Sequence, residues 1–375
     1  MKFTRRLLLV VSAVHIALRL VPISREAIPG VSGIWAANMF AQELSAWFVL
    51  LNLIGLVLSV RRRPLGVFFC AATLFSLLPF LQIREVNRVM ARQWTEAGMG
   101  SYLLAPPGAV EVFAESFRLS EPEQKGQNLS LSLPMLYYSP RTRVPGKAYI
   151  VIDIHGGSWQ HGAPQQDEAL SRYLAESGYA VFAIDYRRAP AYVHPAHLND
   201  VRDAITWVES NAGRFRADPT RIALVGHSAG GHLALLAAYT QLDPAIRSVV
   251  SFYGPTDLQE LHQHPSSPDP LNVPEKLEVM MGLRFGNNQQ AFRDASPIRY
   301  VRPGLPPTLQ IQGSRDHIVP EQITRSMHEE LRRAGNRALL LELPWSEHSF
   351  DMLWFGPGNR LARYYMSAFL AETLR

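Results

Sequence analysis

The sequence predicts an α/β fold, a mostly parallel central sheet flanked by helices, preceded by transmembrane α-helices. Three observations lead there. The first hundred residues hold long charge-free runs with basic flanks. From about Gln127 short Val- and Ile-rich runs alternate with longer helical patterns. And one such run breaks off at a serine packed among glycines.

The N-terminal runs come first. Leu44–Val60 is seventeen residues without a charge, closed by Arg61, Arg62 and Arg63; Pro64–Ile83 is twenty more, closed by Arg84. About 20 apolar residues match the roughly 30 Å hydrocarbon core of a bilayer, and basic residues at the ends suit membrane flanks. These two runs read as a transmembrane hairpin. Leu7–Ile23 follows Lys2, Arg5 and Arg6 but contains His15 and Arg19. We read it as a first span with Arg19 snorkelling to the interface; the alternative is a cleaved signal peptide, for which no clean small-residue site follows. Val86, Val89, Met90 and Trp94 then recur at helical spacing, and Leu103–Val110, "LLAPPGAV", reads as a linker. The expected division is 1–100 as a membrane anchor of two or three helices and 101–375 as a catalytic domain.

Charge supports this division. The chain's net charge is +5, but residues 1–100 carry eleven Lys and Arg against four Asp and Glu, a balance of +7, which leaves −2 for the remainder. The basicity sits at the membrane flanks, so no nucleic-acid partner is expected. With three spans, Lys2, Arg5, Arg6 and Arg61–Arg63 share one side, against Arg25, Arg84, Arg88 and Arg92 on the other. The larger set marks the cytoplasmic side, so the catalytic domain of this multi-pass protein is expected outside the cytoplasm. The single cysteine, Cys70, excludes an internal disulfide and a Cys-based zinc site.

The expected strands are 148–154, 180–186, 221–226, 247–253, 307–313 and 338–344, with helices near 167–177 and 198–211. Apolar strands separated by helices mean a mostly parallel sheet, which places functional loops at the strands' carboxyl ends. Leu258–Ala295, rich in Pro and with Met280 and Met281, interrupts the rhythm and reads as a cap over an acyl pocket.

The chemistry-bearing residues lie at those carboxyl ends. Gly226-His227-Ser228-Ala229-Gly230 is a G-x-S-x-G pattern between a strand and a helix, with Gly231 following. A turn that tight needs small neighbours, and it presents the serine hydroxyl at the sheet top beside a helix N-terminus. "DIHGGSW", Asp153–Trp159, ends an earlier strand. Its glycines let backbone N–H groups approach an oxyanion, and the candidate donors are Gly157, Ser158 and Ala229. Among twelve histidines, His348 in "PWSEHSF" follows the last strand, where a base can reach the serine. Asp316 in "IQGSRDHIVP" follows the strand before it and is the expected acid, with Asp257 as the alternative. Ser, Asp and His in that chain order form one of the known serine-hydrolase arrangements.

On the strength of "HGGSW", "DYRRAP", "GHSAGGHLA", "SPI", "GSRDHIVP" and "SEHSF", residues of about 120–375 resemble the α/β-hydrolase superfamily. They are most similar to its carboxylesterase- and lipase-like members near the hormone-sensitive-lipase and BD-FAE families. Membrane-anchored relatives with this pattern include enzymes similar to prenylcysteine methylesterases. Ser158 stands where hormone-sensitive-lipase relatives usually have a third glycine, which leans toward the BD-FAE side. The resemblance implies a Ser228/Asp316/His348 triad, an oxyanion hole from His155-Gly156-Gly157-Ser158 and Ala229, and an acyl-enzyme route on a small-molecule or lipid ester. Membrane lipids are the expected surroundings. No metal and no organic cofactor is expected. Amide or formamide hydrolysis and acyl transfer use the same residues, and a non-catalytic membrane scaffold is the alternative outside enzymes.

Overall fold

The computed structural model describes residues 2–20, 37, 39–59, 63–100, 112–118, 132–140 and 147–375. The linker at Leu103–Val110, Arg25, Arg61 and Arg62 lie outside the described residues.

Three N-terminal helices pack on one another: α1 (Lys2–Leu20), α2 (Ser45–Ser59) and α3 (Arg63–Glu96). Their packing is inverted relative to a water-soluble bundle. Ser12, His15, Ser45, Asn52, Ser59 and Ser76 are buried, whereas Leu7, Val10, Trp47, Leu53, Val57, Val67, Leu74 and Leu81 are exposed. The buried groups form a seam: Ser12 Oγ donates to Asn52 Oδ1 at 2.5 Å, and Asn52 Nδ2 to Ser76 Oγ at 3.1 Å. Gly55 allows the Phe69 ring to close in; a Cβ there would sit 2.4 Å from it. Pro64–Glu96 is, among the described residues, the one helix long and apolar enough to cross a membrane; Arg6–Leu18 and Ser45–Ser59 are shorter apolar helices.

The expected third span and the amphipathic segment after it are one helix. The helical pattern runs through Arg84 without a breaker, so α3 continues for 34 residues, about 50 Å at 1.5 Å per residue. Its last turns dock on the catalytic domain. Val86 and Met90 are buried there, while Val89 is exposed.

The domain is built on an eight-stranded sheet in the order β1-β2-β4-β3-β5-β6-β7-β8. The strands are β1 (Val112–Arg118), β2 (Ser132–Tyr138), β3 (Ala148–Ile154), β4 (Ala180–Ile184), β5 (Ala217–His227), β6 (Ile246–Phe252), β7 (Thr308–Gly313) and β8 (Ala338–Leu343). The first two, which the sequence reading does not anticipate, run antiparallel at one edge; β4, β3 and β5–β8 are mutually parallel. The six expected strands are all present. The connecting helices are α4 (Glu168–Glu176), α5 (Ala196–Asn211), α6 (Ala229–Gln241), α7 (Leu258–Gln263), α8 (Val273–Met281), α9 (Gln289–Asp294), α10 (Glu321–Arg333) and α11 (Pro357–Thr373).

Alternation along the strands splits the core between the two sheet faces. Ile150, Ile152 and Ile154 of β3 pack with α5 and α6, whereas Val151 packs with α4, α11 and the end of α3. The far edge, β8, is covered by α3. Gln93 Nε2 donates to the Leu340 carbonyl at 3.0 Å, and Leu340 N–H donates to Gln93 Oε1 at 2.7 Å.

Candidate active site

Four parallel strands deliver the candidate residues to one end of the sheet. β5 ends at His227, and Ser228 follows as the residue before α6, with φ 51° and ψ −118°. A positive φ in a non-glycine residue is strained and is held only where the surroundings dictate it. Here the Ser228 N–H is tied to the Phe252 carbonyl at 2.9 Å. The glycines around it answer to close backbone approach: a Cβ on Gly226 would lie 2.3 Å from the Gly230 carbonyl, and one on Gly230 would lie 1.9 Å from the Ile154 carbonyl. The second contact brings the first turn of α6 against the end of β3, so Ser228 and the glycine turn meet.

That turn is His155-Gly156-Gly157-Ser158. Gly156 passes beside Ser228, to whose Cβ a Cβ on Gly156 would come within 3.3 Å. Gly157 has φ +117°, and Ser158 and Trp159 also take positive φ. The turn is braced from behind by residues the sequence reading left without a role. His155 Nε2 lies 3.1 Å from Asp185 Oδ1, Tyr186 stacks on the His155 ring at 4.4 Å, and its hydroxyl donates to the His155 carbonyl at 3.1 Å. Burial would raise the Asp185 carboxyl, but His155 and Arg188 hold it below its ordinary value. Arg187 in turn grips Asp200 through its backbone N–H and its guanidinium at 2.7–3.0 Å. The signal available for these residues is "DYRRAP", which carries charge directly after a buried strand.

The structure brings Ser228, His348 and Asp316 together. His348 Nε2 is 2.9 Å from Ser228 Oγ, and His348 Nδ1 is 2.8 Å from Asp316 Oδ2. His348 and Asp316 are buried. Asp316 Oδ1 accepts the Ile318 and Val319 N–H groups, both at 2.8 Å, and Oδ2 also accepts from Gln312 Nε2 at 3.0 Å. Asp257 is elsewhere: it caps α7, accepting the Glu260 N–H at 3.0 Å. Glu347 does not touch its neighbour's ring; its carboxylate binds His317 Nδ1 at 2.5 Å and the backbone N–H of His317 and His348. Burial disfavours the charged form of three other histidines. His194 and His197 are pushed down to about 4 by burial, and His232, wedged between Trp159 and the Ala295 carbonyl, to about 3.

Two features of this end of the sheet were not legible. Glu43, in the helical turn before α2, is buried beside the His348 loop. Ser346 Oγ donates to its Oε1 at 2.6 Å and Gly358 N–H to its Oε2 at 3.0 Å, and burial raises its pKa to about 7. The second feature lies under Ser228. His227 Nδ1 is 2.9 Å from Asp351 Oδ2, and Tyr253 donates its hydroxyl to Asp351. Burial would depress His227, but Asp167, Asp351 and Asp153 raise it to about 10. Burial raises Asp153 and Asp167, while the His227 contact holds Asp351 below its ordinary value.

Helices α7–α9 and their connections lie between β6 and β7 and pack on this region. The Met280 carbonyl accepts the His194 N–H at 2.8 Å, and Val193 fits against Gly282.

Comparison with known proteins places this architecture. Esterase LipC of Mycobacterium tuberculosis is 38% identical over 230 residues, 57% of this chain and 56% of that protein. Probable carboxylic ester hydrolase LipM of the same organism is 32% identical over 231 residues, 58% of this chain and 53% of that one. The chain therefore spans about half the length of these curated relatives. Among solved structures, a bacterial heroin esterase aligns with TM-score 0.61 at 20% identity, over 78% of this chain and 93% of that one, a likeness of fold. Thermogutta terrifontis esterase 2, described as phosphonylated by sarin, aligns with TM-score 0.53 at 27% identity over 66% and 90%. The BD-FAE family model matches residues 136–331, from the strand beside β4 through the Asp316 loop to the last turn of α10; with its α/β sheet and flanking helices, the chain belongs to the BD-FAE family.

Proposed function

We propose that the protein is a membrane-anchored serine hydrolase of carboxylic esters, with Ser228 as nucleophile, His348 as base and Asp316 as orienting acid. The observation that carries this is the relay of 2.9 Å and 2.8 Å from Ser228 through His348 to Asp316, set at a strained turn beside two glycines. His348 Nε2 takes the Ser228 Oγ proton as Oγ attacks the ester carbonyl. The backbone N–H groups of Gly157, Ser158 and Ala229 receive the oxyanion. His348 then protonates the departing alcohol, and water, deprotonated by the same nitrogen, releases the acid from Ser228. Asp316, accepting from Nδ1, keeps Nε2 free to accept. The named esterases among the relatives favour esters over amides. Helices α7–α9 serve as the cap over the acyl side.

The inverted packing of α1–α3 supports the anchor. Buried Ser, Asn and His with exposed Leu and Val suit a hydrocarbon surrounding, in which small and polar residues join helices. About 20 residues of α3 cross the core, and its remaining turns rise to the catalytic domain. The two shorter helices complete a three-span anchor, with the N-terminus cytoplasmic and the catalytic domain outside.

The test is labelling of the detergent-solubilised full chain by a fluorophosphonate probe, with p-nitrophenyl esters of graded acyl length as substrates. Wild type should label and turn over, and Ser228→Ala should do neither beyond the small residual rate that an oxyanion hole alone supports. Near-parental turnover by Ser228→Ala would overturn the assignment. Alkaline phosphatase fused after Arg375 should be active if the domain lies outside, and an active β-galactosidase fusion would reverse the topology.

A further inference from the structure

The cluster beneath the nucleophile plays no part in the proposed chemistry, and its geometry raises a separate question. Asp153 and His227 share one sheet face: β3 and β5 pair Asp153 with Val225, two residues before His227. Asp167, at the N-cap of α4, reaches the same point; its side chain makes no cap hydrogen bond. One ligand atom from each of the three lies within 4.8 Å of the other two. Asp153 and His227 are each only 2% exposed. Yet Asp153 Oδ1, Asp167 Oδ2 and His227 Nε2 are buried with no hydrogen-bond partner among the described residues. Asp153 Oδ2 is already committed to the Ser171 hydroxyl at 2.6 Å, and His227 Nδ1 to Asp351.

We propose that Asp153, Asp167 and His227 form a binding site for one divalent first-row transition-metal ion, of the Zn²⁺ or Mn²⁺ type. Three arguments converge on this. A proton on His227 Nε2 would have no acceptor in hydrogen-bond reach among the described residues, whereas one cation would engage all three free atoms. One ligand atom of each residue stands within 4.8 Å of the others, so small side-chain adjustments bring all three onto one ion, whose donors lie about 3–4 Å apart at metal–ligand bonds of roughly 2.0–2.2 Å. And a ligating histidine ordinarily gives its other ring N–H to a carboxylate, which is the part Asp351 plays at Nδ1. Two carboxylates and one imidazole suit zinc or manganese better than magnesium or a soft ion. A cavity of about 230 Å³, lined by Asp167, Tyr253 and Asp351 among others, adjoins the cluster and leaves room for water on the ion's open positions.

The ion would position and not catalyse. Asp153 stands two residues before the His155-Gly156-Gly157 turn, and His227 immediately before Ser228, so one cation would hold nucleophile and turn in register. This inference is independent of the ester-hydrolase reading, because it is read by binding.

The experiment uses the untagged full chain in detergent, dialysed against a chelator and titrated with ZnCl₂ or MnCl₂ by calorimetry, with elemental analysis of the washed protein. One ion per chain, saturably bound and raising the melting temperature, is expected. Asp351→Asn, which keeps the three ligands, should weaken affinity roughly 10–100-fold; Asp167→Asn, which removes a ligand, should weaken it further. Absence of one-to-one binding in the unaltered chain would overturn the proposal without recourse to variants, leaving protons to close the network. So would unchanged affinity in folded Asp167→Asn.

Discussion

Replacing Asp316 with Asn separates orientation of the base from folding. Asp316 Oδ1 accepts two backbone N–H groups at 2.8 Å, so in the variant the amide oxygen is held there and Nδ2 takes the place of Oδ2. That nitrogen faces His348 Nδ1, 2.8 Å away in the parent. Donating to Nδ1, it forces the imidazole proton onto Nε2, which then points at Ser228 Oγ and cannot take its proton. The wrong tautomer in a triad costs about 10⁴-fold in kcat, roughly 5 kcal/mol of barrier. The effect on stability should be far smaller. Gln312 Nε2 loses one acceptor but keeps the Val319 and Gly313 carbonyls at 3.0 and 3.2 Å, a loss of about 1 kcal/mol and a fall of roughly 2–4 °C in Tm. The assay pairs turnover of a short-chain p-nitrophenyl ester with thermal melting. Asp257→Asn, altering only the cap of α7, is the comparison and should leave kcat near parental, since Asn caps as well as Asp. Asp316→Asn turnover within tenfold of parental, or a greater loss in Asp257→Asn, would refute the tautomer argument.

Two further substitutions test the surroundings. Glu43 titrates at about 7 when folded against an ordinary 4.5, so folding favours its protonated form; the stability it contributes is complete below about pH 4.5 and is lost as pH rises through 7, by roughly 3 kcal/mol. Glu43→Gln, whose amide can still accept from Gly358 and donate to Ser346, should flatten that decline in melts between pH 5 and 8, and an unchanged slope would remove Glu43 as its source. Gly230→Ala places a Cβ 1.9 Å from one backbone carbonyl and 2.5 Å from another. Helix and strand must part, and a displacement near 1 Å should lower kcat about 10²-fold with some loss of Tm; parental values of both would show that the close approach is immaterial.

The parts of the fold that could be read from sequence were those where a single physical demand governs a short stretch. Ile150–Ile152 of β3 and Ile222–Val225 of β5 are buried on both faces, so they appear as apolar runs, and the residues after each strand must be rich in glycine for the chain to turn under a catalytic loop. His348 and Asp316 were found because parallel strands send their loops to one end of the sheet. β1 and β2 escaped notice because an antiparallel edge pair mixes polar residues into its strands, and Pro134 within β2 reads as a breaker. Arg84 suggested a helix end, although nothing in its neighbourhood prevents the backbone from continuing. Glu43 and Asp153 were opaque for a different reason. Their hydrogen-bond partners are 303 residues away for Glu43, at Ser346, and 18 for Asp153, at Ser171, and no local pattern marks a lone carboxylate that folding will bury.

The amide of Gln93 also bears on how this protein can be handled. By presenting one donor and one acceptor to Leu340, it imitates the next strand and closes an edge that would otherwise invite another chain. The stretch it protects, Ala338–Leu343, is five apolar residues and one glutamate, the composition that pairs readily once uncovered. Trimming the chain at residue 100 to obtain a detergent-free protein would strip this cover and Glu43 together. The trimmed form should associate edge to edge at concentrations where the intact protein stays dispersed, and placing a lysine or a proline on the outer side of β8 would be the remedy. Beyond the anchoring role proposed for it, α3 thus also keeps neighbouring copies from joining their sheets.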